Sequence, residues 1–85
     1  MDCKTIMAIL VDNRTHSAPK VQEILTKYGC NIKVRLGLHE VDERHCSDEG
    51  LIILQLCGSE EDIQNLEKEL NSLERVKAKK ITLSL

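Results

Sequence analysis

The sequence turns on one stretch, residues 50–57, Gly-Leu-Ile-Ile-Leu-Gln-Leu-Cys. Apart from Gln55 it is an unbroken apolar run, opened by Gly50 and followed by Gly58. It carries no charge and is far shorter than the ~18 apolar residues of a membrane helix, which predicts a strand buried on both faces. Such a strand requires a neighbour on each side and cover on at least one face. The rest of the chain is expected to supply them.

Residues 4–11 (KTIMAILV) are a second apolar, β-leaning run without Pro or Gly, read as a first strand of the same two-sided kind. In the polar segment 12–17, Ser17 is placed to cap a helix. Pro19 suits that helix's first turn, where a missing N–H costs nothing. Val21, Ile24, Leu25 and Tyr28 fall at i, i+3, i+4 and i+7, one apolar stripe. Gly29 is expected to end the helix in the left-handed conformation.

In residues 30–39, Ile32, Val34, Leu36 and Leu38 alternate with Asn31, Lys33, Arg35 and Gly37, the period of a half-exposed edge strand. The apolar set is expected to face the helices, leaving Lys33 and Arg35 on the opposite face. Residues 40–49 are charged and polar and read as a hairpin loop. Ser59 followed by Glu60, Glu61 and Asp62 matches a capping box, and Ile63, Leu66, Leu70 and Leu73 give a second helix its stripe. Glu74 and Arg75 make a turn without glycine. Residues 76–85 change phase between Val76/Ala78 and Ile81/Leu83/Leu85, which predicts a bulge or a late strand start near Lys79 and Lys80.

The element order is β-α-β-β-α-β, an α+β ferredoxin-like sandwich over one domain, 1–85, with an antiparallel sheet and two helices on one face. Right-handed crossovers place the first and third strands in the middle, and those are the two double-sided apolar runs. The face away from the helices is then apolar on both central strands, so self-association as a homodimer or tetramer is expected.

Composition removes several function classes. One Tyr and no Phe or Trp leave no platform on which single-stranded nucleic acid could stack. A net charge of -2 offers no basic field, so neither direct nucleic-acid contact nor membrane contact is expected. Residues 1–4 lack signal-peptide character, and the expected location is the cytoplasm. Three of the four cysteines, Cys3, Cys30 and Cys57, sit in or beside strands and read as small buried hydrophobes, not a disulfide framework.

Ile-Leu-Val-Asp-Asn-Arg at 9–14, Val-Gln-Glu-Ile-Leu-Thr-Lys-Tyr-Gly at 21–29 and Ile-Lys-Val-Arg-Leu-Gly at 32–37 carry a resemblance. The chain resembles the small ACT-like proteins named as regulators of iron-only hydrogenase systems. More distantly, it is similar to the C-terminal domain of nickel-responsive repressors. The resemblance implies a ligand-responsive, oligomeric regulatory domain with no enzymatic activity and no resident cofactor.

Strand polarity sorts the reactive side chains between the two ends of the sheet. His16, His39, His45 and Cys46 are expected at one end, where His39, His45 and Cys46 are donors suited to nickel or zinc. Their spacing matches no metal motif, and a solvated loop is the plainer reading. Cys3, Cys30 and Cys57 gather at the other end, but parity turns Cys30 towards the core and Cys57 outward with Gln55, so the three are not expected to share an ion. Asn13, Arg14 and Thr15 lie beside the first helix's N-terminus, where free N–H groups favour anions. Arg14 or Arg35 is the expected partner for an effector carboxylate. The ligand-binding set is therefore Asn13, Arg14, Thr15 and Arg35. No nucleophile–base pairing or glycine-rich phosphate loop supports an enzyme.

The leading expectation is a homo-oligomeric regulatory module that takes a small-molecule effector at or near a subunit interface. A metal sensor built on His39, His45 and Cys46, and a ligand-free interaction domain, are the alternatives.

Overall fold

The two apolar runs pair with each other. In the computed structural model, which describes residues 3–12, 16–38, 41–42, 45–46 and 49–85, they form β1 (Thr5–Asp12) and β5 (Glu49–Leu56). Their antiparallel ladder runs unbroken from Thr5 opposite Leu56 to Asp12 opposite Glu49. β2 (Ile32–Leu38) flanks β5 and β6 (Val76–Thr82) flanks β1, giving the sheet order β2-β5-β1-β6. The helices α1 (Ser17–Lys27) and α2 (Glu60–Asn71) complete a ferredoxin-like β-α-β-β-α-β arrangement with the two apolar runs at the centre. The segment expected as a plain hairpin loop contains two further strands, β3 (Val41–Asp42) and β4 (His45–Cys46), paired antiparallel in a small ribbon of their own.

Alternation along the strands decides what is buried. Met7, Ile9 and Val11 of β1, Leu54 and Leu56 of β5, and Val76 and Ala78 of β6 meet Val21 and Leu25 of α1 and Ile63, Leu66 and Leu70 of α2 in one core. Fully burying an aliphatic side chain stabilises by about 1.5–3 kcal/mol, so this one cluster carries the hydrophobic stability of a small chain. The opposite face is not buried as the apolar runs suggested. Leu10 and Leu51 keep 43% and 36% of their surface, while Ile6, Ala8 and Ile53 are half-buried.

Two phase expectations are overturned, each for a definite reason. In β2 the register slips between Ile32 and Val34, so that Ile32 stands opposite Leu56 and Val34 opposite Gln55. One extra residue flips every later side chain to the other face. Ile32 packs on the core, but Val34 and Leu36 are 50% and 53% exposed on the open face. Arg35, expected on that open face, stands on the helix side and donates to Gln22 Oε1 of α1 at 2.5 Å. Neither the bulge nor the late start expected near Lys79 and Lys80 is found, because β6 begins at Val76 and pairs with β1 without a slip from Thr82 to Val76. Lys80 simply follows Val76 and Ala78 on the helix side, at the edge, with its ammonium 3.1 Å from Glu67 Oε1, and Ile81 faces out.

The helix ends differ in how well local rules predict them. Ser59 caps α2, its Oγ accepting from the Asp62 N–H at 3.1 Å. Ser17 is instead the first residue of α1, and its hydroxyl donates to the Glu74 carbonyl at 2.7 Å, tying the helix start to the turn before β6. Gly29 does not adopt a left-handed conformation; the chain tightens into a 3-10 turn over Gly29–Asn31 and enters β2. Among the described residues the positive φ values fall on Gly58 (113°) and Arg75 (58°). A Cβ at Gly58 would lie 2.5 Å from Asn31 Nδ2, whose amide donates to the Cys57 carbonyl at 3.1 Å, so glycine is required there.

The outer edge of β6 is closed by side chains of α2. The Asn71 amide accepts from the Ala78 N–H at 2.8 Å and donates to the Ala78 carbonyl at 3.0 Å. Glu67 accepts from the Lys80 N–H at 3.1 Å. These groups would otherwise present an open template to another strand.

Candidate functional site

Among the described residues, most of the exposed large hydrophobic side chains, Leu10, Val34, Leu36, Leu51 and Ile81, lie on the sheet's open face. Reading across the register, Ile81, Ile6, Gln55 and Val34 form one row, and Lys79, Ala8, Ile53 and Leu36 the next. A third row brings Lys77, Leu10 and Leu51 together. All four strands contribute apolar side chains, and β6, besides Ile81, contributes a cationic flank of Lys77 and Lys79. Four strands at ~4.8 Å spacing and about seven residues long make a plane of roughly 400 Å2. Gln55 and the two lysines interrupt it, and the plane lies within the range of about 300–600 Å2 for the largest patch of a monomer, roughly half of what each partner contributes to an interface of standard size.

At the loop end of the same face lies a hollow of about 220 Å3 lined by Leu10, Asp12, Glu49, Arg75, Val76 and Lys77. Asp12 and Glu49 are cross-strand partners at the last pair of the central ladder. Asp12 is buried; its N–H donates to the Arg75 carbonyl at 3.1 Å, and its Oδ2 accepts from Arg75 Nε at 3.2 Å. These two bonds hold Arg75 in its left-handed conformation in the turn after α2, with its side chain 59% exposed. The hollow therefore joins two carboxylates to two cations at the rim of an apolar surface. Leu10 and Lys77 belong to both the hollow and the open face.

The opposite end of the sheet holds the cysteines. Cys3 and Cys57 are joined as a disulfide, which corrects the expectation that they stand free as small hydrophobes. Face parity failed because both residues lie just outside their strands, Cys3 before β1 and Cys57 after β5, where the pleat no longer dictates direction. Cys30 lies in the 3-10 turn as an exposed free thiol, not against the core. Cys57 is joined to the residue beside it, since its N–H donates to the Asn31 carbonyl at 2.8 Å.

On the helix side, Lys27 Nζ approaches Glu69 Oε1 at 2.9 Å and the Tyr28 hydroxyl donates to Glu69 Oε2, bridging α1 to α2. The Tyr28 hydroxyl, and then Lys27, holds the Glu69 carboxyl below the usual carboxylate range. The same hydrogen bonds to Glu69 raise the pKa values of Tyr28 and Lys27. This is a bond between helices, not a pocket.

Of the residues singled out from sequence, Arg35 is described, and it points away from the hollow and the open face towards α1. Asn13, Arg14, Thr15 and His39 lie outside the described residues. His45 and Cys46 pair through the backbone with Asp42 and Val41 in the small ribbon. Among the described residues no group of three metal-capable side chains gathers, and no helix is long and apolar enough to cross a membrane. Asp12 and Arg75 escaped sequence reasoning. The signal available was a turn without glycine, which obliges some other residue to accept a positive φ.

Comparison with known proteins extends this picture. Among curated proteins there is no match. The solved structure of uncharacterized protein TM1266 from Thermotoga maritima is similar, with a TM-score of 0.82 and 26% sequence identity over 94% of this chain and 95% of that one. A family model described as "Iron-only hydrogenase system regulator, putative" matches residues 4–80. With nearly the whole chain matched by that model, the protein belongs to the TM1266-like family.

Proposed function

We propose that the chain is a non-enzymatic, ligand-responsive regulatory module of the ACT-like kind, working in the cytoplasm as a homo-oligomer with a small-molecule site at a subunit contact. The family's description as a hydrogenase-system regulator supports the regulatory part. One observation carries the rest: the hollow at Asp12, Glu49, Arg75 and Lys77 opens on the same face as the apolar patch, sharing Leu10 and Lys77 with it. A second copy laid over that face would cover the hollow's rim, so effector binding and assembly would be linked.

The edges favour the face over strand addition at β6, because Asn71 and Glu67 already occupy the outward groups of Ala78 and Lys80. The hollow also begins where β1 ends at Asp12, immediately before Asn13, Arg14 and Thr15, so those residues keep their proposed part in holding the effector. Arg35 drops out in favour of Arg75 as the cation that meets a carboxylate. The test is a thermal-shift screen of small zwitterions and carboxylic acids on the native chain and on Arg75→Gln. An effector should raise the Tm of the native chain and leave the variant unmoved. Equal stabilisation of both would remove the hollow from the account.

A further inference from the structure

The Cys3–Cys57 disulfide sits where the start of β1, the segment after β6 and the turn before β2 come together. Residue 3 lies outside β1, and its carbonyl accepts from Gln55 Nε2 at 3.0 Å, so the open face's own Gln55 holds it. The next carbonyl, of Lys4, accepts from the Leu83 N–H at 3.0 Å, extending the β1–β6 contact one step beyond the Thr5–Thr82 pair. Leu83 is 58% exposed, and the residues that follow it are exposed too. On the other side, Cys57 is tied through Asn31 to the turn that carries the exposed Cys30 thiol. The bond therefore pins residues 3–4, and through them Leu83, to one end of the apolar face.

We infer that the Cys3–Cys57 bond is a reversible thiol–disulfide latch on that end of the open face, with a dithiol reductant as its chemical partner. Cys3 is half-buried and Cys57 is buried, so the incoming thiolate meets Cys3 first. Its attack on Cys3 Sγ forms a mixed disulfide and expels Cys57 Sγ as a thiolate, which takes up a proton. The reductant's second thiolate then attacks its own sulfur in the mixed bond and releases Cys3, which is protonated in turn. Two electrons and two protons pass to the cysteine pair, and the reductant leaves as a disulfide. Opening frees the covalent hold on residues 3–4, so the ladder frays from its Thr5–Thr82 end while its centre remains.

The latch goes beyond the effector reading and does not rest on it. The test combines thiol labelling with amide hydrogen exchange on the native chain, before and after treatment with a small dithiol. Without reductant, N-ethylmaleimide should label Cys30 and leave Cys3 and Cys57 unlabelled. With reductant, both should become labelled in the folded protein. Exchange at residues 4–6 and 82–83 should then quicken by about tenfold more than at the centre of β5. Cys3→Ser should show the loosened pattern in either condition. Labelling of both cysteines without reductant, no gain of label until the protein is denatured, or exchange that is unchanged or rises equally everywhere would each overturn the latch. An unaltered sedimentation mass alongside the terminal loosening leaves the latch standing and speaks only to the assembly.

Discussion

Asn71 offers the sharpest mutational test of how this sheet avoids pairing at its edge. Asn71→Ala removes an amide that satisfies both outward backbone groups of Ala78, at 2.8 and 3.0 Å. Ala78 is only 2% exposed, so water does not fully replace either bond. Each such bond is worth about 0.5–1.5 kcal/mol net, and a helix gains a few tenths from alanine in place of asparagine at its last turn. The net loss is about 2 kcal/mol, which lowers the Tm of a chain this size by roughly 8–16 °C. Asn71→Asp keeps the acceptor for the Ala78 N–H but sets a carboxylate against the Ala78 carbonyl, so it should lose no less than half as much. Thermal unfolding by circular dichroism reads both variants, and light scattering above the transition should show that Asn71→Ala aggregates more readily. An unchanged Tm for Asn71→Ala would refute the claim that α2 side chains complete the β6 edge.

Gly58→Ala should be among the most damaging substitutions, costing about 2–4 kcal/mol in chemical denaturation, because it combines a left-handed backbone with a Cβ 2.5 Å from Asn31 Nδ2. Leu66→Ala, in the middle of the core, should cost about 2–5 kcal/mol by the same measurement. Glu69 has a depressed pKa in the folded chain, so its stabilising contribution is present above the ordinary glutamate range and is lost as the pH falls through the depressed value. The stability advantage of the native chain over Glu69→Gln should therefore shrink in acid, and an advantage that grew on acidification would contradict the assignment. Arg35→Met removes an exposed bond to Gln22 and nothing on the open face, so oligomer mass should not change.

The order of elements and the central position of the two apolar runs were legible in sequence because both follow from hydrophobic period and crossover handedness. The second helix's start was legible because Ser59 and the acids after it satisfy free N–H groups locally. What failed was the assignment of faces at the edge strands. Alternation says which residues share a face but not which face it is, and a single unpaired residue after Ile32 reversed the rest of β2. The phase change in β6 looked like a defect only because Ile81 was assumed to belong inside; on an apolar open face it belongs outside. The same assumption hid Val34 and Leu36 from the patch and put Arg35 on it. The disulfide and the Asp12–Arg75 contact join residues 54 and 63 positions apart beyond the ends of regular strands, where period carries no information.

The central claim is that the open face is where copies of this chain meet, and Leu36 tests it most directly. Leu36 retains 53% of its surface and stands beside Ile53 in the middle rows of the patch. Burying that remainder contributes about 1 kcal/mol per copy, or about 2 kcal/mol across a symmetric pair, before the cost of a buried carboxylate is added. Leu36→Glu should thus weaken assembly at least ~30-fold while leaving the Tm of the separated chain within a few degrees, since the side chain lies outside the core. Sedimentation equilibrium over a range of concentrations gives the answer. The account predicts a mass at or above twice 9.6 kDa for the native chain at micromolar concentration and a shift towards 9.6 kDa for Leu36→Glu. A native chain that stays at 9.6 kDa, or a variant that assembles as the native chain does, would contradict it.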